Sequence, residues 1–173
     1  MAPNWPTLAR PVPSCGRAAG QAARGHESAG VVSIDFEQTL GTDLAGIAPL
    51  ADAFSAWAAA ARIAPSQVYH VNVVLDELVT NTILHGLGEG RPGRIRIRVR
   101  RRGNMLEAEL RDDAPAFNPF EMPPPSLVAA LDERAVGGLG VHFVRTLMDG
   151  HAYARDGDEN VVSLRKLLKD GAA

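Results

Sequence analysis

Glu77, Asn81 and His85 stand four residues apart in "DELVTNTILHG", the stretch from Asp76 to Gly86. On a helix, residues i and i+4 share a face, so these side chains form a polar column beside an apolar one. An Asn carbonyl suits Mg²⁺, which accepts one or two protein oxygens and keeps water and phosphate oxygens for its other positions. A carboxylate one turn earlier can take a proton from a nucleophile within hydrogen-bond reach. The column can equally line a solvated helix edge. His85 can touch phosphate or order the helix end, or it can be a helix-terminal His near the negative end of the dipole.

Two further segments carry chemistry. In "LRDDAPAFNPF", Asp112 ends a strand before small residues and a turn. A carboxylate there can accept a hydrogen bond from an exocyclic amine, which favours adenine over guanine; "DD" before a proline is also an ordinary turn. In "GGLGVHF", Gly137, Gly138 and Gly140 precede a helix. Glycine lets an anion approach the backbone, and the first helical N–H groups and the dipole favour it. No Walker A lysine follows, and no βαβ unit surrounds the glycines.

The elements that must position these residues follow from periodicity. "VVSIDFEQTL" reads as a first strand. Asp43 to Ile63 reads as a helix capped by Thr42 or Asp43, with Leu44, Ile47, Leu50, Phe54 and Trp57 at helical spacing. Pro65 breaks it and Ser66 caps the next helix, whose core face is Val71, Val74, Leu75, Leu78 and Thr82 and whose C-cap is Gly86. Ile95, Ile97 and Val99 alternate with arginines, Gly103-Asn104 turns the chain, and Met105, Leu106, Ala108 and Leu110 complete a hairpin. The glycine turn enters a helix with Val141, Val144, Leu147 and Met148 inward, and a last hairpin turns at Asp156 to Asn160. Hairpin strands with helices on one face make an α+β two-layer sandwich with a mostly antiparallel sheet.

Together the three segments resemble the N, G1 and G2 boxes of the GHKL (Bergerat) ATP-binding fold of histidine kinases, DNA gyrase and MutL-type proteins. "DELVTNTILHG", "DDAPAFNP" and "GGLGVHFVRTLMD" are most similar to the boxes of the small bacterial anti-sigma-factor serine/threonine kinases, of the anti-sigma B factor type. The resemblance covers about Val31 to Leu168. It implies that Glu77 is the base activating the attacking hydroxyl, that Asn81 holds Mg²⁺ at the phosphates, and that Asp112 binds the adenine amine. It further implies that Gly137, Gly138, Leu139, Gly140 and Val141 bring backbone N–H groups to the phosphates of ATP, with His85 and Gly86 as further candidates. Ala114, Ala116 and Phe117 would border the nucleotide, and Pro115 to Val136 would form its lid. Such proteins bind a sigma factor and phosphorylate a serine on a STAS-domain anti-anti-sigma protein; homodimerisation follows by analogy only. The usual G1 glycines are here Ala114 and Ala116 around Pro115, which should stiffen the loop and move the lid hinge toward Phe117 or "EMPPP". An ATP-loaded module that sequesters a sigma factor or other regulator without phosphotransfer is therefore the alternative.

Composition bounds these readings. A chain of 173 residues, 46% hydrophobic and 22% charged, suits one globular domain, and 5% aromatic content leaves Val, Leu, Ile and Ala to fill its core. The single cysteine, Cys15, excludes an internal disulfide framework, and neither His85 nor His142 has partners at metal-ligand spacing. Residues 1–30, rich in Ala, Gly, Pro and Arg, read as a disordered tail or as sequence from a misassigned upstream start. They carry a faint transit-peptide character, and 31–173 is the kinase-like domain. No apolar run nears the roughly 20 residues needed to span a bilayer, and the expected location is the cytoplasm. Six of the 18 basic residues fall between Arg94 and Arg102. They can be a solvated sheet face, a dock for an acidic protein, or a nucleic-acid surface. The net charge of −2 and the lack of interleaved aromatics disfavour the last.

Overall fold

The computed structural model of the chain describes residues 35–121 and 139–169. The expected tail, the strand start at Val31 and most of the expected lid lie outside the described residues. The first strand, β1, is Phe36–Leu40. Asp43 then caps a 3-10 turn over Leu44–Gly46, its carboxylate accepting from Ala45 N at 2.8 Å. Helix α1 is therefore Ile47–Ala60, shorter than the periodicity suggested at both ends. At its C-terminus Arg62 adopts φ 54°.

Helix α2 is Pro65–Asn81, with Ala64, not Ser66, at the N-cap and Pro65 at the first helical position. Proline suits that place because its missing N–H would have had no helical partner. Val71, Val74, Leu75, Leu78 and Val79 are buried on α2, as spacing predicts for all but Val79. Thr82, expected inward, is only half-buried.

Strands β2 (Ile95–Arg102) and β3 (Met105–Asp112) form the first hairpin. After a 3-10 turn at Pro119–Glu121 and helix α3, Leu139–Leu147, come β4 (Gly150–Asp156) and β5 (Glu159–Leu167). The sheet order is β1-β2-β3-β5-β4 with every neighbouring pair antiparallel. Ile95, Ile97, Val99, Leu106, Ala108, Leu110, Val162 and Leu164 face the helices and are buried. Phe36 meets Phe54 edge-on, ring centroids 5.7 Å apart. Fully burying one such aliphatic or aromatic side chain contributes about 1.5–3 kcal/mol, and α2 packs against both α1 and α3 over this surface. The result is the expected two-layer α+β sandwich. No helix among the described residues is long and apolar enough to cross a membrane.

The outer face of the sheet carries the arginine strip, and acids on neighbouring strands neutralise it. Arg96 Nη2 donates to both Glu159 carboxylate oxygens at 2.7 Å, Arg98 pairs with Glu37 at 2.8 Å, and Arg100 pairs with Asp35 at 2.9 Å. Arg111 adds Glu109 and Asp156 to the network. Arg101 leaves the strip. Its guanidinium turns to Ala61 O and Arg62 O, just past the C-terminal end of α1, where a cation complements the helix dipole.

Candidate nucleotide-binding site

Asp112 closes β3 opposite Ile95 and Asn160, and it is buried at 5% exposure. Its Oδ1 accepts from Ala114 N at 3.0 Å and from Asn160 Nδ2 at 2.8 Å. Oδ2 has no hydrogen bond among the described residues. Burial pushes the Asp112 carboxyl above its ordinary pKa, although the hydrogen bonds from Asn160 and Ala114 oppose the rise. A buried carboxylate with one oxygen anchored and the other unmatched can receive an N–H from a ligand.

Asn160, read from sequence as the end of a turn, lies in β5. The turn itself is Gly157-Asp158, since Asp156 pairs with Glu159 and Arg155 with Asn160. The Asn160 amide ties together everything around Asp112. Beyond Asp112, its Nδ2 donates to Ala114 O at 3.3 Å and Pro115 O at 3.1 Å. Its Oδ1 accepts from Tyr153 Oη at 2.8 Å, Arg155 Nη1 at 2.9 Å and Phe117 N at 3.2 Å. Arg155 Nη1 also donates to Ala114 O at 2.9 Å. A side chain with both amide ends satisfied inside a buried network fixes geometry strongly. Ala114 is buried, whereas Phe117 is 56% exposed.

At the expected hinge, the Phe117 backbone N–H is bonded to Asn160. The following turn is anchored too. Asn118 Oδ1 accepts from Phe120 N at 3.0 Å, and Arg145 Nη2 donates to Phe120 O at 2.9 Å. From Met122 onward, the "EMPPP" stretch and the lid up to Val136 lie outside the described residues.

Glu77 and Asn81 sit one turn apart on α2, both half-buried, and neither side chain has a hydrogen bond or ion pair among the described residues. Burial, and then the neighbouring Asp76, push the Glu77 carboxyl above its ordinary pKa. At Thr82 the helix loosens into a π turn, Thr82–Leu87. His85 lies within this turn and is exposed. The helix does not end on Gly86 as expected. Gly88 is the C-cap at φ 87°, and its N–H donates to Ile83 O at 2.7 Å.

Gly86 has another role. A Cβ placed on it would sit 3.0 Å from the Ala114 Cβ. The end of the π turn therefore packs directly on the loop after Asp112, and the structure brings these two segments together. For the third segment, Gly137 and Gly138 lie outside the described residues. Leu139 and Gly140, expected before the helix, form its first turn, with Val141 buried behind them. Helical N–H groups of a first turn have no intrahelical acceptor, and α3 lies against α2.

The residues present fit a Mg²⁺-bound nucleoside triphosphate in donor chemistry: an amide oxygen without an internal partner, an unmatched oxygen on the Asp112 carboxylate and a helix N-terminus on adjacent elements. Asn160, Arg155 and Tyr153 were missed from sequence. The only sequence signal for Asn160 is an Asn at the start of a period-two apolar strand, which marks a turn more often than a site.

Comparison with known proteins places this arrangement. The family model described as the histidine kinase-like ATPase domain matches residues 40–166. The serine/threonine-protein kinase BtrW of Bordetella bronchiseptica is 25% identical over 96 residues, covering 56% of this chain and 68% of that protein. The crystal structure of the RsbU and RsbW domains of Rv1364c from Mycobacterium tuberculosis matches with a TM-score of 0.58 at 15% identity. That match covers 80% of this chain and 33% of the solved one, and it bears on the fold alone.

Proposed function

Because the chain belongs to the histidine kinase-like ATPase domain family, we propose that it is an ATP-dependent protein serine/threonine kinase and anti-sigma factor. Its substrate is a serine on a STAS-domain anti-anti-sigma protein. The observation that carries the reading is the pairing of an anchored, half-unmatched Asp112 with a Glu77 of raised pKa on the helix that packs against its loop. The named similarity to a serine/threonine kinase supports the choice of acceptor.

In this reading Asp112 Oδ2 accepts the adenine amine, and Ala114, Ala116 and Phe117 border the base. Backbone N–H groups at Gly137, Gly138, Leu139, Gly140 and Val141 would serve the phosphates. The Asn81 carbonyl holds Mg²⁺, which when bound offsets phosphate charge. Glu77 takes the proton of the attacking serine hydroxyl, and its raised pKa makes it a better base than an ordinary Glu. Phosphoryl transfer needs positioning and electrostatic stabilisation more than covalent chemistry. The test is transfer of the labelled γ-phosphate of ATP to a STAS-domain protein, lost in Glu77→Gln with ATP binding retained.

One observation favours a second reading, an ATP-loaded module that sequesters a sigma factor or other regulator without transfer. The Ala114-Pro115-Ala116 loop is clamped by Asn160 and Arg155, which limits rearrangement around the base. ATP binding with no transfer by the wild-type protein would select it.

A further inference from the structure

A second cluster of polar groups lies at the far end of the sheet from Asp112. There, Lys166 and Leu167 of β5 pair with Leu106 and Met105 at the start of β3. A cleft of about 490 Å³ opens between the first turns of α2, the C-terminal end of α3 and the end of β5. This is a volume within the usual range for small-molecule sites. Along α2, Gln67 and Asn81 are fourteen residues apart, about 21 Å at helical rise, so the cleft is separate from the nucleotide site.

Its lining is polar in a way the fold does not require. Gln67 is only 7% exposed; its Nε2 donates to Leu167 O at 3.3 Å, but the buried Oε1 has no partner. His70 Nδ1 is also buried without a partner. A buried polar atom left unmatched costs about 1–3 kcal/mol. Lys166, likewise 7% exposed, donates one N–H to Leu147 O at 2.6 Å, which leaves two ammonium hydrogens. Lys169 adds a second cation. Asp149, the acid of the lining, accepts from Leu167 N at 2.7 Å, and its charge also acts on Lys166. A smaller adjoining cleft shares Ala64, Gln67 and Lys169 and adds Arg62 and Arg101.

The cations call for an anion, and the orphaned Gln67 oxygen calls for a donor beside it. We propose that this cleft is a second binding site, for a small organic anion, a carboxylate or a phosphate monoester, that carries an adjacent hydroxyl or amine donor. The anion sits against Lys166 and Lys169, and the donor reaches Gln67 Oε1 with His70 beside it. Burial and the Lys166 charge hold His70 below its ordinary pKa.

NMR of the histidine ring signals tests this on the full chain. Malate and glutamate probe the carboxylate arm, glycerol 3-phosphate the phosphate arm, and acetate and sulfate serve as anions without the donor. His85, at the other end of α2, is the internal control. The His70 signals should move saturably with at least one donor-bearing probe while those of His85 stay fixed. Affinity should fall about tenfold or more in Lys169→Ala and in Gln67→Met, the loss expected for one charge-assisted contact or buried hydrogen bond. No saturable movement with any probe, equal movement with acetate and sulfate, or undiminished affinity in Lys169→Ala would overturn the proposal. Lys169 is exposed, so its variant decides the matter even if Gln67→Met folds poorly.

Discussion

At the scale of residues, Asp112 binds its neighbours through one oxygen, and the other has no hydrogen bond among the described residues. Its raised pKa means that ionisation costs the folded state. The stability tied to this group is therefore greatest below the unfolded pKa and is lost as pH rises through the folded value. Asp112→Asn keeps the acceptor for Asn160 and Ala114 but presents an amide N–H₂ where the carboxylate oxygen stood. It should melt at the same or a higher temperature near neutral pH, and calorimetry should show ATP binding lost. Asn160→Ala strips Asp112, Ala114 O and Phe117 N of a shared partner. It should cost about 1–3 kcal/mol in denaturant unfolding and weaken ATP binding as well. For Glu77, the acid limb of the pH–rate profile should lie above the range of an ordinary Glu, because its pKa is raised, and should vanish in Glu77→Gln. Asp112 and Glu77 were legible because carboxylates at a strand end and on an apolar helix stand out locally. Asn160 was not, because its partner lies 48 residues away and an Asn beside "GDE" reads as turn chemistry.

Among the elements, α2 and its π turn set the site. The apolar spacing of α2 gave its core face correctly, since Val71, Val74, Leu75 and Leu78 are nearly solvent-free. Nothing in that spacing signals the loosening at Thr82, which depends on tertiary packing of Ile83 and on Gly88 reaching back to it. His85 follows Asn81 by four residues, and in the fold it lies on this turn and is exposed. The same turn explains how the chain accommodates alanine after Asp112. The Ala114 methyl occupies space that Gly86 leaves free. Gly86→Ala should therefore weaken ATP binding, and Gly86→Ala with Ala114→Gly should recover it. A coupling energy of about 0.5–3 kcal/mol between the two sites would mark direct packing, and strict additivity would contradict it.

For the whole molecule, hairpin order and one-sided helices made the two-layer sandwich readable, while the placement of β5 between β3 and β4 depends on a long connection that no local pattern reveals. Charge was misleading when read along one strand. The arginines of β2 look like a binding strip in sequence, but in the sheet they meet Glu37, Asp35 and Glu159 from strands and turns on either side. The outer face should accordingly show no measurable affinity for duplex DNA by fluorescence anisotropy at physiological salt, where free basic patches still bind. The central claim is that one nucleotide site unites Asp112 and Glu77 for transfer to a protein serine. The most direct test incubates wild-type protein and Glu77→Gln with γ-labelled ATP, Mg²⁺ and a STAS-domain protein, with ATP affinity measured in parallel. Label on a STAS serine with the wild type, reduced about 10²–10⁴-fold in Glu77→Gln at unchanged ATP affinity, is the predicted result. Equal labelling by both proteins would contradict the account.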